Sequence, residues 1–254
     1  MSTATLETDF SDKATAAPGW RRRATYAAIG LVWIAAMIAG GLTGLFQACG
    51  PPPLGRDLEV STLVLDRNGK LLRAYLTSEG RWRLPATKSQ VDPRYLDALL
   101  AYEDKRFYQH RGIDPLAMAR AALQLATHGR IVSGGSTITM QVARLLEPRT
   151  ERSLDAKIRQ AVRAVQLEQA LSKDEILSLY VTLAPYGGNL EGIRAASLAY
   201  FDKEPRRLTL GEAALLVALP QSPELRRPDR FSEAAKRARD RAQGSLMFSA
   251  SRHR

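Results

Sequence analysis

Cysteine is almost missing from these 254 residues. Cys49 stands alone, so an internal disulfide and a cysteine-based metal site are both excluded. Histidine is scarce too: His110, His128 and His253 are scattered, without the spacing of metal ligands. Acidic residues number 26 against 37 Lys and Arg, for a net charge of +11. That balance favours polyanionic partners: nucleic acid, acidic phospholipid or a phosphate-bearing substrate. There is no solenoid repeat, and no lysine follows Gly134-Gly135 at the spacing of a Walker loop. The length exceeds one typical domain and allows a sizeable core.

What the chain does have begins with a long uncharged run. Residues 1–20 are polar, small and rich in Thr and Ala, a composition of disordered tails. Arg21-Arg22-Arg23 follows. Ala24 to Ala48 then carries no charge and includes Ile29, Leu31, Val32, Trp33, Ile34, Met37, Ile38, Leu42, Leu45 and Phe46. Such a run crosses a hydrocarbon core of ~30 Å as one helix. The arginines place its N-terminus in the cytoplasm and export everything after residue 50. The run is longer than a signal-peptide core, and no clear small-x-small cleavage site follows it. The expected layout is a cytoplasmic tail at 1–23, a transmembrane helix at 24–48, a linker at 49–58 stiffened by Pro51-Pro52-Pro53, a main domain at 59–240 and a divergent tail at 241–254.

The main domain opens with β-rich runs at 59–65 and 70–76, joined by the turn Asp66-Arg67-Asn68-Gly69. A short strand is expected at 81–84. After Pro85 the pattern is helical. Asp92-Pro93 and Asp114-Pro115 read as N-caps with proline in the first turn. Ser136 or Thr137 and then Ser153 start further helices. Ser172 with Glu175 and Thr209 with Glu212 form capping boxes. Residues 185–189 read as a turn, and Ser232 opens a basic helix.

The chemistry gathers at 101–112, AYEDKRFYQHRG. Tyr95, Leu96, Leu99 and Leu100 recur at helical spacing, so Glu103 closes a helix with a buried face. A carboxylate on such a mount suits a general acid or base; a solvated, salt-bridged helix end gives the same spacing. Gly134 to Thr137, feeding a helix, offers free N–H groups to an anion, and plain capping gives the same pattern. Lys157, Arg159 and Arg163 read as one basic region, equally compatible with a solvated face.

EDKRFYQHRG, GGSTITMQVARLL, LSKDEILSLYVTLAPYGGNLEGIRAAS, AYFDK and ALLVALPQSP resemble, in order and spacing, the motifs of glycosyltransferase family 51, the peptidoglycan glycosyltransferase domain of class A penicillin-binding proteins. The resemblance covers about residues 60–235. It implies a mainly α, lysozyme-like fold with a small N-terminal β-hairpin, and polymerisation of lipid II into β-1,4 glycan with loss of undecaprenyl pyrophosphate. It makes Glu103 the general base. Asp104, Arg106, His110, Ser136, Thr137 and Gln141 would line the substrate cleft, and Lys157 with Arg159 would meet the donor pyrophosphate. No cofactor is required, and the resemblance leaves room for a divalent cation, Mg or Mn, at that pyrophosphate. The expected partners are lipid II, the growing strand, the bacterial inner membrane and other cell-wall synthesis proteins.

Two positions depart from the family pattern. Gln160 stands where the third motif carries its second glutamate, and Met140 replaces the first glutamine of a QQ pair. Family members of this type continue into a serine transpeptidase domain. No S-x-x-K nucleophile motif with later partners occurs here, so penicillin binding is not expected. The rival readings are a lysozyme-like glycan-cleaving enzyme, against which the basic third motif argues, and a non-catalytic membrane-anchored scaffold, which Gln160 favours. Nucleic-acid binding explains the charge but not the export signal.

Overall fold

The computed structural model describes residues 19–129, 135–148, 153–230 and 233–251. The sequence-based readings of positions 1–18, 131–134, 232 and 252–254 lie outside them, Gly134 included. The chain divides into two units, Met1–Ala48 and Cys49–Arg254.

The first unit is helix α1, Gly19–Ala48. Val32, Trp33 and Met37 are exposed on it, while the side chains of Leu31, Ile38 and Leu42 lie outside the described set. Among the described residues no helix is long and apolar enough to cross a membrane.

The second unit is mainly helical. Strands β1 (Leu63–Leu65) and β2 (Leu71–Ala74) form the antiparallel hairpin that the turn residues announce. Asp66 holds the turn by accepting from the Asn68 and Lys70 N–H groups, both at 2.8 Å. Strand β3 (Trp82–Arg83) lies parallel to β5 (Leu190–Glu191), which pairs antiparallel with β4 (Pro185–Gly187). The segment read as a turn at 185–189 is therefore a strand and a reversal, turned at Gly187 and Gly188 with φ of +105° and +59°.

Helix α2 (Pro93–Glu103) starts at Asp92, which accepts from the Arg94 N–H and, through its other oxygen, from Leu208 N–H. Helix α3 (Pro115–His128) is capped by Asp114 and closed by Gly129 in the left-handed region. Helix α4 (Ile138–Leu146) is capped by Thr137, and α5 (Leu154–Ala170) by Ser153. Both capping boxes form, at the starts of α6 (Lys173–Leu183) and α8 (Leu210–Ala218). Between them stands α7 (Ile193–Phe201), and α9 (Glu233–Ser251) runs unbroken past position 240.

One core cluster joins α2, α4, α6, α7 and α8 through Leu99, Ile138, Ile176, Leu177, Ile193 and Leu216. Tyr95 and Tyr186 share an O–H···O bond of 2.8 Å inside it. Burial pushes both phenols above the ordinary tyrosine range, so they stay neutral. Behind α2, Ala214 and Ala218 of α8 close on Ala238 and Ala242 of α9, with Tyr102 against the seam. Alanine on both sides lets two helix backbones approach closely. Helix α3 differs from all of these: no described residue on it is buried, and Leu116 and Leu123 are each 66% exposed.

Two expectations change here. The segment read as a spacer is held against the domain, because Arg163 donates to the carbonyls of Gly50 and Pro51, each at 2.9 Å. Arg163 therefore does not join Lys157 and Arg159 on a basic face. It is buried and ion-paired with Glu147 at 2.7 Å.

Gly112 brings the 101–112 segment onto α5. Its φ is +88°, and a Cβ there would lie 2.6 Å from the backbone carbonyl of Ala164. Gly112→Ala is expected to lower stability by about 3 kcal/mol or more, read as a reduced midpoint in urea unfolding.

Candidate active site

Glu103 is the last residue of α2, half-buried. A helix C-terminus disfavours negative charge, so the carboxylate needs donors, and it has two. Gln141 Nε2 on α4 donates to Oε2 at 2.8 Å, and Gln221 Nε2 donates to Oε1 at 2.8 Å. A cavity of about 590 Å³ opens beside it, lined in part by Lys105, Arg106, Arg120, Ser136 and Thr137.

Asp104, next in the chain, turns inward. Both of its oxygens lie 3.0 Å from His110 Nε2, and Oδ2 also accepts the first N–H of α4, from Ile138, at 2.9 Å. Asp104 is 6% exposed and His110 9%. His110 is buried and does not line this cavity; its ring braces Asp104. Asp104 reaches the cavity wall but spends its carboxylate on His110 and on α4.

Arg106 is committed as well. Its guanidinium grips the Asp114 carboxylate through Nε and Nη2. Burial alone would raise the Asp114 pKa, but the Ala117 N–H and the Arg106 cation outweigh it and hold the carboxyl below the ordinary aspartate value. Arg106 thus fixes the start of α3 while lining the cavity. Thr137, also buried, donates to Gly112 O at 2.6 Å and caps α4.

The third-motif residues form a polar lattice between α4 and α5. Lys157 Nζ lies 2.5 Å from Ser136 Oγ and 3.0 Å from Gln160 Oε1, and Gln160 Nε2 donates to Met140 O at 2.7 Å. Desolvation, then nearby Arg144, hold the Lys157 pKa below the ordinary lysine value. Arg159 makes no hydrogen bond or ion pair among the described residues. Glu168 is engaged elsewhere, accepting from Thr139 and Lys173, each at 2.6 Å.

Gln160 turns its one oxygen to an ammonium, and among the described residues no three His, Cys, Asp or Glu side chains gather to hold a metal.

The structure thus brings Glu103 and Gln141 together, joins Ser136, Lys157 and Gln160 in one lattice, and leaves Arg159 apart. Sequence reasoning missed Gln221, which lies in the ALLVALPQSP stretch, 118 positions from Glu103. The motif was visible in the sequence; the residue's partner was not. Chemically, the site presents a carboxylate of fixed plane beside a cavity rimmed by cations. It can take a proton from a hydroxyl next to an anionic group.

Residues 68–246 match the sequence model of the family described as Transglycosylase. Penicillin-binding protein 1C of Escherichia coli K12 is 50% identical over 191 residues, covering 75% of this chain and 24% of that protein. Penicillin-binding protein 1A of the same organism is 37% identical over 196 residues, covering 75% and 23%. The chain therefore spans about a quarter of the length of these relatives. The crystal structure of penicillin-binding protein 1A from Haemophilus influenzae aligns with a TM-score of 0.39 at 19% identity, over 76% of this chain and 19% of that one, which is too weak to add to the assignment.

Asp104→Ala leaves the Ile138 N–H and the His110 ring unpartnered in a dry place. It is expected to cost about 3 kcal/mol in chemical denaturation, whereas Arg159→Ala is expected to stay within about 0.5 kcal/mol of wild type.

Proposed function

The chain belongs to the transglycosylase family, and from that premise we propose that it is a peptidoglycan glycosyltransferase polymerising lipid II into β-1,4 glycan strands. The observation that carries the proposal is Glu103 beside the 590 Å³ cavity, each carboxylate oxygen held by an amide. In this reading Glu103 takes the proton of the acceptor sugar's 4-hydroxyl. That oxygen attacks the anomeric carbon of the growing chain. The bond from that carbon to the pyrophosphate oxygen breaks, and undecaprenyl pyrophosphate leaves with the electron pair. The centre inverts through an oxocarbenium-like transition state. Lys157, held beside Ser136 and Gln160, meets the donor pyrophosphate as the leaving charge develops.

The same reading places the protein in the bacterial inner membrane. Its support is the sequence: the uncharged run 24–48, as a helix rising ~1.5 Å per residue, matches a hydrocarbon core of ~30 Å in length. The triple arginine supports an N-terminus in the cytoplasm and a periplasmic domain. The exposed leucines of α3 suit contact with a lipid tail. The partners in this reading are lipid II, the growing strand and other cell-wall synthesis proteins.

A second reading, a non-catalytic scaffold, draws on Gln160, whose two ends are both occupied within the protein and which offers no second carboxylate.

A gel assay of the detergent-purified chain with labelled lipid II separates the two. Wild type is expected to yield a polymer ladder. Glu103→Gln is expected to lose roughly 10²- to 10⁴-fold in rate while still binding lipid II. Binding without any ladder from wild type, with a ladder from Gln160→Glu, would mean that the amide silences the site. No ladder from either folded chain would favour the scaffold.

A further inference from the structure

We infer that Gln221 and Arg226 form a positioning relay for Glu103, which no motif reading assigns. The inference rests on Glu103 acting as the base.

Gln221 ends the 3-10 turn Leu219–Gln221, directly after α8. Its amide is oriented by its neighbours. Arg226 Nη1 lies 3.0 Å from Gln221 Oε1, and Tyr102 O–H donates to the same oxygen at 3.3 Å. A guanidinium only donates, so the amide oxygen must face Arg226 and the NH₂ must face Glu103. Arg226 is itself placed by Ala218 O at 2.6 Å, at the C-terminal end of α8. The chain of contacts runs from the α8 terminus through Arg226 and Gln221 to Glu103 Oε1.

Two consequences follow. First, Gln141 and Gln221 hold the two oxygens from different elements, α4 and the 219–221 turn. Two fixed points set the plane of a carboxylate, so the remaining lone pairs aim in one direction. Second, the amide stands between a cation and a base. An arginine directly on the carboxylate would form an ion pair and weaken it as a base. Here the amide accepts from the cation and passes on a neutral donor. Gln221 is exposed, so its hydrogen bonds contribute little to folding and its effect belongs to turnover.

The test uses the full chain in detergent with Gln221→Met, Arg226→Met and the double variant. Gln221→Met is expected to lower kcat for lipid II polymerisation roughly tenfold, with KM and melting temperature unchanged. Arg226→Met is expected to lower kcat less, and the double variant to match Gln221→Met, since Arg226 acts only through the amide. Wild-type kcat in Gln221→Met, or losses that simply multiply, would overturn the relay. A second readout does not need activity: the side-chain amide resonance of Gln221 in the ¹⁵N-glutamine-labelled chain. It is expected to move in both Glu103→Met and Arg226→Met. If it sits at the position of a free glutamine in wild type, the relay is wrong whatever the enzyme does. If it moves as expected while wild type makes no glycan, the relay stands and the transferase reading falls.

Discussion

The carboxylate of Asp104 is the constraint on which the site depends. It is buried, shared between His110 and the first N–H of α4, and adjacent in the chain to Glu103. One side chain therefore fixes the end of α2 against the start of α4. Gln141 is on α4 and reaches Glu103; Ser136 and Thr137 lead into α4 and border the cavity. Removing the Asp104 contact would let the two helix termini drift, and a displacement of an ångström is costly in a site built on orientation. Lys173 backs this arrangement by donating to His110 O at 2.7 Å while lying over the Phe107 ring.

Much of the fold was legible in the sequence because helix caps are local chemistry. Asp92, Asp114, Thr137, Ser153, Ser172 with Glu175 and Thr209 with Glu212 each act within three or four residues, so the string of letters carries them. The hairpin at 66–69 was legible for the same reason. The pairing of β3 with β5 was not, since strands of two residues have no periodicity to read and their partners lie over a hundred positions apart. The site divides along the same line. Glu103 and Gln141 came from motif positions. That His110 and Arg163 face inward came only from tertiary partners: charge type suggests water, and a buried acceptor overrides it.

Gln160 gains a physical meaning from its surroundings. Its N–H₂ satisfies a backbone carbonyl and its oxygen steadies Lys157. A glutamate there would keep the contact to lysine but lose the donor, setting a negative oxygen against the Met140 carbonyl. The amide is thus locally consistent with the α4–α5 packing, and its cost, if any, falls on the substrate side.

The alanine seam between α8 and α9 sets the mechanical tolerance of the Glu103 mount. Tyr102, one residue before Glu103, packs against that seam and also contacts Gln221. With methyl groups on both sides there is no flexible side chain to absorb a change in spacing. A single added methylene at Ala214 or Ala238 would therefore be transmitted as displacement rather than taken up as repacking. The stiffness of the mount that carries Glu103 is in this sense a property of the smallest side chains in the core.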